Sequence, residues 1–519
     1  MTDAAPRSRV VLADVFRHDA RHYPDKTAIR LDGVGLTFAE LARRVDDTVG
    51  ALGAHVAPGD RIGIWLQNSF SWLATFLALN ELGAVSVPIN TRLTAAECWT
   101  ILRDAKARAL VTTRRYRNRD YLDEIDAGAA QREGLTVFVA DDAHAATEWP
   151  TVGALQKTTA APVAAADDLL CIQYTSGTTA TPKGVMLTNR AYLTTANYVA
   201  RCQRLTPSTR FISAAPFFHC SGTMHAIATC LVAGCTLNSL SVWDPEWFLD
   251  ETERQQCDAS HMIYFRDVLA LGSASARSKL ATMKVAHDLG TRDYLLRLAD
   301  ELGLAGISNI YGMTETCGQF TMWFPDDPFE RRISGNGRPQ AGNALRIGDP
   351  ETGAPLPSGA IGEIQMKGIT VSPGYFNRAA ANADAFTADG WLRSGDLGSI
   401  NDAGELHYIA RLKELIRVGG ENLAPAEVEQ AIRDATGTQH VCVLGVPDAR
   451  LDEVPTAVVV GSEVSDWPQV LAGLRGTLAG FKIPRAVYSA PQFPLTATNR
   501  VQRAALRDWI VAGKLQRVA

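Results

Sequence analysis

A short segment near the middle of the chain combines small hydroxyl residues, glycines and one lysine. It follows the strand-like run 172–174 and reads Thr175-Ser176-Gly177-Thr178-Thr179-Ala180-Thr181-Pro182-Lys183-Gly184. Backbone N–H groups in such a loop can close around an anion, and a lysine adds a positive charge. Ordering this composition is costly unless a ligand binds. We therefore predict a phosphate-binding loop whose contacts are Thr175, Ser176, Gly177, Thr178, Thr179 and Lys183.

This loop resembles the phosphate-binding signature of the adenylate-forming superfamily, which includes acyl-coenzyme A (CoA) synthetases, peptide-synthetase adenylation domains and luciferases. It is not a Walker loop, which requires the pattern GxxxxGK[ST]. The agreement covers nearly the whole chain, from Leu36-Thr37-Phe38 to Arg503, with several motifs in the expected order. The resemblance implies an acyl-CoA ligase that joins a carboxylic acid to CoA through an acyl-adenylate (acyl-AMP).

The segment 309–316 resembles the second nucleotide signature of that superfamily. The Tyr311 ring can stack on adenine, and the Thr314 hydroxyl can bind phosphate. Glu315 is a hard oxygen ligand suited to Mg²⁺ that bridges phosphates. Taken alone, the segment could also be the capped start of a helix, with Thr314 as the N-cap.

The segment 390–398 resembles the ribose-binding segment of the family. A carboxylate such as Asp396 can accept hydrogen bonds from two neighbouring ribose hydroxyls. Arg411 would then direct several donors toward ribose and phosphate. A turn residue beside Gly395 is the alternative role for Asp396.

The acid pocket is expected near Pro216-Phe217-Phe218-His219, which resembles a family segment with a gating aromatic or histidine residue. Further walls are expected from the region of Tyr264 and from Gly312. These walls look apolar, so we predict a hydrophobic carboxylic acid as the substrate.

The segment 411–429 resembles the hinge of the family, where a small C-terminal domain rotates between an adenylating and a thioester-forming arrangement. Lys413 occupies the hinge position. Gly419 and Gly420 would let the backbone approach the thin pantetheine arm of CoA, which a Cβ would obstruct.

The end of the chain departs from the family pattern Pro-x-Thr-x-x-Gly-Lys, because Asn499 and Arg500 replace the glycine and the lysine. A planar guanidinium need not fit the gap that an ammonium fills. Losing one such transition-state donor typically costs about 10²–10³ in rate. Ala180 and the segment 286–288 also replace glycine-rich positions of the adenylating half. We therefore predict weak or absent ATP-dependent adenylation, so that thioesterification of a preformed acyl-AMP dominates and a separate adenylating enzyme supplies it.

Three alternatives stay open at this stage. Arg500 could be fully competent, which would make the chain a complete two-step synthetase using ATP, CoA and Mg²⁺. The chain could instead be a stand-alone loader of a carrier protein. A binding protein without catalysis is disfavoured, because a binder has no use for the hinge and the glycine pair at 419–420.

Strand-like and helical runs alternate along most of the chain, which indicates layered α/β structure. We predict a large N-terminal domain of α/β subdomains with a β-rich subdomain near 335–374, and a small mobile α+β C-terminal domain. The predicted domains span 1–410 and 411–519. The chain of 519 residues is too long for a single core.

Composition excludes several classes of protein. The net charge of −5 argues against nucleic-acid binding. The stretch 72–89 is interrupted by Asn80 and Glu81, so it predicts a helix and a strand rather than a membrane span. Single, unpaired cysteines favour a reducing cytoplasm. A homodimer is possible by family resemblance.

Overall fold

The computed structural model describes residues 10–127, 134–140, 164–175, 182–261, 264–419, 421–461, 464, 466–495 and 501–519. The chain divides into two compact units. The first comprises 1–345, 365–393 and 404–406, and the second comprises 346–364, 394–403 and 407–519. The boundary at 411 that we predicted between two domains stays a prediction, whereas the predicted fold class is confirmed.

Two largely parallel sheets form the framework of the first unit. In spatial order, the strands of the first sheet are Ile307–Asn309, Val285–Asp288, Ala259–His261, Arg210–Ile212, Thr236–Ser239, Thr27–Leu31 and Val34–Thr37. Those of the second sheet are Lys183–Thr188, Leu169–Thr175, Val85–Pro88, Arg61–Trp65, Ala109–Thr112 and Thr136–Val139. Each sheet has one antiparallel edge pair. The remaining pairs are parallel, as strands joined by helical crossovers should be.

The α-helices of the first unit connect and cover these strands. Their sequence explains where several begin: Thr37 accepts a hydrogen bond from Glu40 N, and the Glu40 carboxylate accepts one from Thr37 N. The helices are Leu12–His22, Phe38–Gly53, Phe70–Glu81, Ala95–Asp104, Tyr121–Ala127, Asn189–Cys202, Cys220–Gly222, Thr229–Ala233, Pro245–Gln255, Phe265–Ala270, Ser273–Lys279, Arg292–Leu302, Phe329–Ser334 and Ala379–Ala385. A π-helix spans Thr223–Ala228, and a 3₁₀ turn spans Thr314–Thr316.

A four-stranded sheet follows along the chain, with strands Asn343–Gly348, Gly362–Gly368, Leu392–Ile400 and Leu406–Arg411. Two short ribbons pair Thr321–Met322 with Arg338–Pro339, and Arg115–Tyr116 with Arg119–Asp120. The predicted β-rich texture after residue 335 therefore corresponds to real strands.

The second unit contains its own sheet and core. Its strands, in spatial order, are Glu421–Leu423, Ile416–Val418, Asp452–Val459, Ala486–Ser489 and Gln516–Arg517, and Val441–Asp448 pairs with Asp452–Val459. Its helices are Pro425–Thr436, Trp467–Gly473 and Arg503–Val511, with 3₁₀ turns at Leu412–Glu414, Leu474–Gly476 and Gly480–Lys482. Val428, Val443 and Val487 are among the residues that fill its core.

The apolar stretch 72–89 contains most of helix Phe70–Glu81 and the following strand Val85–Pro88, so it is a helix followed by a strand, as predicted. Within the described ranges, no helix combines the length and the apolar character needed to cross a bilayer. All nine cysteines are buried and free.

Candidate active site

The predicted phosphate loop joins two antiparallel strands, Leu169–Thr175 and Lys183–Thr188. Thr175 and Lys183 face each other at the end of this pair. Gly184 is required by close packing, because a Cβ there would lie 2.6 Å from the Ile172 side chain. Ser176, Gly177, Thr178 and Thr179 lie outside the described residues. The strands therefore place Lys183 at the base of the loop, where the sequence predicted it.

Lys183 and Glu315 are connected by a tyrosine that the sequence analysis did not identify. The Lys183 ammonium lies 5.1 Å from the centre of the Tyr375 ring, on its face. The Tyr375 hydroxyl donates a 2.7 Å hydrogen bond to Glu315 Oε1. Burial, followed by the nearby Glu315 carboxylate, raises the pKa of Tyr375, so its hydroxyl stays protonated as a donor. We call these three residues the Lys183–Tyr375–Glu315 group.

Hydrogen bonds at the backbone of Glu315 and of Tyr375 hold both residues in place. The backbone carbonyl of Glu315 accepts a 2.7 Å hydrogen bond from Ser372 N, and Tyr375 N donates to Asn382 Oδ1 at 2.7 Å. Glu315 lies in the 3₁₀ turn, which Thr316 caps by accepting a hydrogen bond from Met313 N. Thr314 is therefore inside the turn rather than at its N-cap. No local signal marked Tyr375 in the sequence, since the partners of its side chain, Glu315 and Lys183, are 60 or more residues away.

Tyr311 and Gly312 form a closely packed wall beside this turn. Tyr311 is buried and pairs through its backbone with Thr321. A Cβ on Gly312 would lie 2.5 Å from the Gly318 carbonyl oxygen, so only glycine fits there. Gly318 in turn contacts Cys220: a Cβ on Gly318 would lie 3.1 Å from the cysteine sulfur. Internal packing thus requires glycine at 312, and its place in the wall of the acid pocket stays a prediction.

His219 has a structural task in addition to its predicted pocket role. Its Nδ1 accepts a 3.2 Å hydrogen bond from Ser221 N and lies 3.1 Å from Ser221 Oγ, so the ring caps helix Cys220–Gly222. The ring orientation is therefore fixed. Burial raises the pKa of the adjacent Cys220 thiol to about 11, so it is not a thiolate nucleophile.

Tyr264 lies in a different environment from His219. Its ring is buried and stacks on Trp243 with the ring centres 5.0 Å apart. Burial raises its pKa to about 12. Residues 262 and 263, which precede it, lie outside the described residues. Contact between Tyr264 and a substrate stays a prediction.

Three histidines from separate segments meet next to Gly318, which packs against Gly312. His261 ends strand Ala259–His261 and pairs in register with His287 of the parallel neighbour Val285–Asp288. His225, on the π-helix, stacks on His261 with ring centres 3.6 Å apart. Gln203 Nε2 lies 2.9 Å from His287 Nδ1. We call His225, His261, His287 and Gln203 the histidine array; all four are buried.

The array is electrically neutral. Burial lowers the pKa of His225 and of His287 to about 3, and lowers that of His261 well below its usual value. From the sequence we expected apolar walls in the region of Tyr264, and His287 entered only as part of the segment 286–288, which replaces glycine-rich positions. The structure places polar but uncharged side chains there instead, because parallel strands bring their carboxyl ends to one edge of a sheet.

In the second unit, Asp396 and Arg411 form an ion pair, and their roles toward ribose and phosphate stay predictions. Arg411 Nε lies 2.9 Å from Asp396 Oδ1, and Asp396 is buried. Asp396 lies within strand Leu392–Ile400 rather than in a turn, and its N–H donates to Ser394 Oγ. Because both residues are held in adjacent segments of one unit, the carboxylate has a fixed direction.

The predicted hinge lies on the exposed surface of the second unit. Lys413 is exposed within the 3₁₀ turn Leu412–Glu414. Arg503 anchors this turn by donating to Glu414 at 2.9 Å and to Glu429 at 2.8 Å. Gly419 has φ of +59° and donates to Leu451 O, a conformation that favours glycine. Gly420 and Arg500 lie outside the described residues.

Within the described residues, no group of three or more His, Cys, Asp or Glu side chains could hold a metal ion. Glu315 could therefore hold Mg²⁺ only together with oxygens from a ligand or from water, as Mg²⁺ sites on nucleotides commonly do. The residues present fit that arrangement. Tyr375 holds Glu315 by a hydrogen bond, and the Lys183 ammonium lies on the face of the same tyrosine ring.

Comparison with known proteins agrees with these motifs. Residues 16–376 match the AMP-binding enzyme family, and residues 427–500 match the AMP-binding enzyme C-terminal domain. The chain is 34% identical to the "3-[(3aS,4S,7aS)-7a-methyl-1,5-dioxo-octahydro-1H-inden-4-yl]propanoyl:CoA ligase" of Mycobacterium tuberculosis, over 94% of this chain and 96% of the relative.

A feruloyl-CoA synthase from Amycolatopsis sp is 33% identical over 94% of this chain and 96% of its own length. The crystal structure of ATP-bound MatB from Rhodopseudomonas palustris superposes with a TM-score of 0.86 at 30% identity, covering 96% of this chain and 98% of that one. The chain therefore belongs to the AMP-binding enzymes and is an acid–thiol ligase of the adenylate-forming acyl-CoA synthetase superfamily.

Proposed function

We propose that this ligase forms an acyl-CoA thioester from a carboxylic acid by way of its acyl-AMP, with CoA as the thiol and ATP as the nucleotide. The observation that carries the proposal is the Lys183–Tyr375–Glu315 group, which presents a cation and a fixed carboxylate beside the predicted phosphate loop. Relatives named as CoA ligases and synthases, and a neighbour solved with ATP, support it.

Each residue of the nucleotide site has a distinct task in this proposal. Lys183 and the loop Thr175–Thr179 bind phosphate oxygens, and Glu315 holds Mg²⁺, which neutralises phosphate charge when bound. Tyr375 fixes the direction of the Glu315 carboxylate. Tyr311 and Thr314 border adenine and phosphate, while Asp396 accepts from ribose hydroxyls and Arg411 donates to the nucleotide.

The thioester half of the reaction uses the second unit. The C-terminal domain turns at Lys413, and Gly419 and Gly420 line the approach of the pantetheine arm. The positive φ of Gly419 supports this role, because a side chain there would strain the backbone. His219, with its ring fixed by Ser221, borders the acid near the reacting carboxyl group.

We infer further that adenylation is the weaker half-reaction. Arg500 stands where the family lysine reaches the carboxylate oxygen and the α-phosphate, and Asn499 removes the preceding glycine. Loss of one well-placed donor corresponds to about 10²–10³ in rate. The enzyme then works mainly on acyl-AMP made by a separate adenylating enzyme.

A complete two-step synthetase is the second candidate. The intact Lys183–Tyr375–Glu315 group favours it, because a chain that only receives acyl-AMP has no use for a Mg²⁺ ligand held beside the phosphate loop. Cytoplasmic location and a homodimer stay predictions for either candidate.

Pyrophosphate exchange separates the two candidates. The full chain is assayed with octanoate and with 3-phenylpropanoate, both for ATP–pyrophosphate exchange and for CoA consumption from the synthetic acyl-AMP. We expect exchange at least about 10² slower than thioesterification. Arg500→Lys, alone and with Asn499→Gly, should raise exchange and leave thioesterification within about twofold of the starting enzyme. Equal rates in both steps establish the complete synthetase, and no acyl-CoA from any acyl-AMP would refute the ligase proposal.

A further inference from the structure

The histidine array contains hydrogen-bond acceptors that the described residues do not satisfy. His225 Nε2 lies 3.2 Å from the Gly318 carbonyl oxygen. A carbonyl oxygen only accepts, so Nε2 of this neutral ring carries the proton and Nδ1 is left as an acceptor. Among the described residues, no donor contacts His225 Nδ1, although the side chain is 1% exposed.

Gln203 supplies a second acceptor of the same kind. Its amide nitrogen donates to Ser260 O at 3.3 Å and to His287 Nδ1 at 2.9 Å. Its Oε1, an acceptor by elimination, is buried without a donor in the described part of the chain. His261 Nδ1 is also buried and lacks a partner among these residues. Buried polar atoms are nearly always hydrogen-bonded in folded proteins, so these three atoms indicate missing partners, and the partners of His225 Nδ1 and Gln203 Oε1 must be donors.

The array is continuous with the acid side of the site. His225 is bonded to Gly318, and Gly318 packs directly against Gly312 and Cys220. His261 and His287 lie at the carboxyl ends of parallel strands, the edge where ligands bind in α/β sheets. The array is therefore linked to Gly312 through Gly318.

Because the histidine array is uncharged, only some functional groups of a ligand can bind to it. Uncharged imidazoles offer no cation to a second carboxylate, and a keto oxygen, which only accepts, would leave His225 Nδ1 and Gln203 Oε1 without a donor. The nearby Arg332 is committed to the carbonyl oxygens of Ile307, Ala305 and Asp327. A hydroxyl group can donate to one acceptor and receive a bond from a ring N–H in the same array.

We propose that the histidine array forms the remote end of the acid pocket and selects a carboxylic acid that carries a hydroxyl group away from its carboxylate. This inference rests on the proposed ligase function and replaces the purely hydrophobic acid expected from the sequence. His225 and Gln203 are the specificity-determining acceptors.

The test measures kcat/KM for CoA consumption from synthetic acyl-AMPs, which bypasses the adenylation step. Two matched sets are compared: 8-hydroxyoctanoyl against octanoyl, and 3-(4-hydroxyphenyl)propanoyl against its 4-methyl and 4-methoxy analogues. In at least one set, we expect the hydroxyl member to be preferred by about tenfold or more. The methoxy analogue, which accepts but does not donate, should have no advantage over the methyl analogue.

His225→Phe keeps a stacked ring but removes the acceptor, so the hydroxyl preference should fall toward unity whatever happens to the absolute rates. His55→Phe is the matched control, because His55 is exposed and packs on Phe138 instead; its preference ratio should not change. Circular dichroism and thermal unfolding check that each variant folds.

Two outcomes separate the inference from the proposal beneath it. Turnover of the acyl-AMPs with no hydroxyl preference in either set, or a preference unaltered by His225→Phe, overturns the inference and leaves the ligase function standing. That result would mean that the array binds only structural water. Absence of acyl-CoA from every acyl-AMP refutes the ligase function itself.

Discussion

The Lys183–Tyr375–Glu315 group and the histidine array lie in the same unit of the molecule but differ in charge. In the first, an ammonium and a carboxylate contact the same tyrosine, and that tyrosine donates to the carboxylate. In the second, four buried side chains are uncharged, and three of them, His225, His261 and Gln203, each keep one buried atom without a hydrogen-bond partner among the described residues. The group suits a ligand that is the same for every substrate, namely phosphate. The array suits an uncharged group that can donate a hydrogen bond.

Glu315→Gln tests the first region with the largest expected effect. The amide keeps the size of the carboxylate but loses the charge that a Mg²⁺ ion needs. We expect ATP–pyrophosphate exchange to fall about 10²–10³-fold. Thioesterification of synthetic acyl-AMP should fall far less. Glu330→Gln, at an exposed pair with Arg292, is the control. Equal losses in both half-reactions would remove the Mg²⁺ role.

Tyr375→Phe should have a smaller effect on the same step. It keeps the ring under Lys183 but removes the hydrogen bond to Glu315, and a bond to a charged acceptor contributes about 1.5–3 kcal/mol. We expect exchange to fall about tenfold, with a weaker dependence on Mg²⁺ concentration.

The control for Tyr375→Phe is Tyr121→Phe, which removes a hydroxyl bonded to Thr91 O elsewhere in the unit. Unchanged Mg²⁺ dependence in Tyr375→Phe would show that Tyr375 does not position the carboxylate.

The neutral histidines predict a loss of stability in acid. Burial lowers the pKa of His225 and His287 to about 3, whereas in the unfolded chain histidine titrates near 6.5. Below about pH 6.5 the unfolded state therefore binds more protons, and stability falls as pH drops toward 3. His225→Phe should lessen the decrease of the melting temperature between pH 7 and pH 5, and His55→Phe should not. A decrease of the same size in both variants would contradict the buried, neutral state.

For Asp288, next to His287, we expect stability to change with pH in the opposite direction, and by the smallest amount. Burial raises the pKa of Asp288 to about 7, although hydrogen bonds from Tyr294 Oη and Leu289 N act to lower it. Its contribution to stability is thus present below its unfolded pKa near 3.8 and is lost as pH rises through about 7. Asp288→Asn should flatten the fall in melting temperature between pH 5 and pH 8. A steeper fall would contradict this assignment.

The two regions also differ in how far the sequence alone could predict them. Lys183, Thr314 and Glu315 lie in contiguous motifs, because a phosphate site is built from one loop and one turn whose composition is unusual by itself. The strand before the loop, the helix and strand within 72–89 and the α/β class were predicted for the same local reasons.

Tyr375 and the histidine array could not be found in this way. Their partners come from segments far apart in the chain, and each residue alone resembles an ordinary core position. Only the register of parallel strands, which pairs His261 with His287, brings them together. The roles of Gly420, Arg500 and the loop at 176–179 stay predictions from the sequence.

The most direct test of the account is a single-turnover reaction of the full chain, in excess, with synthetic octanoyl-AMP and 8-hydroxyoctanoyl-AMP in the presence of CoA. If the proposed ligase function is correct, we expect AMP release and acyl-CoA formation to occur at the same rate and in equal amounts, without ATP. AMP release by hydrolysis, with free acid and no acyl-CoA, would contradict it.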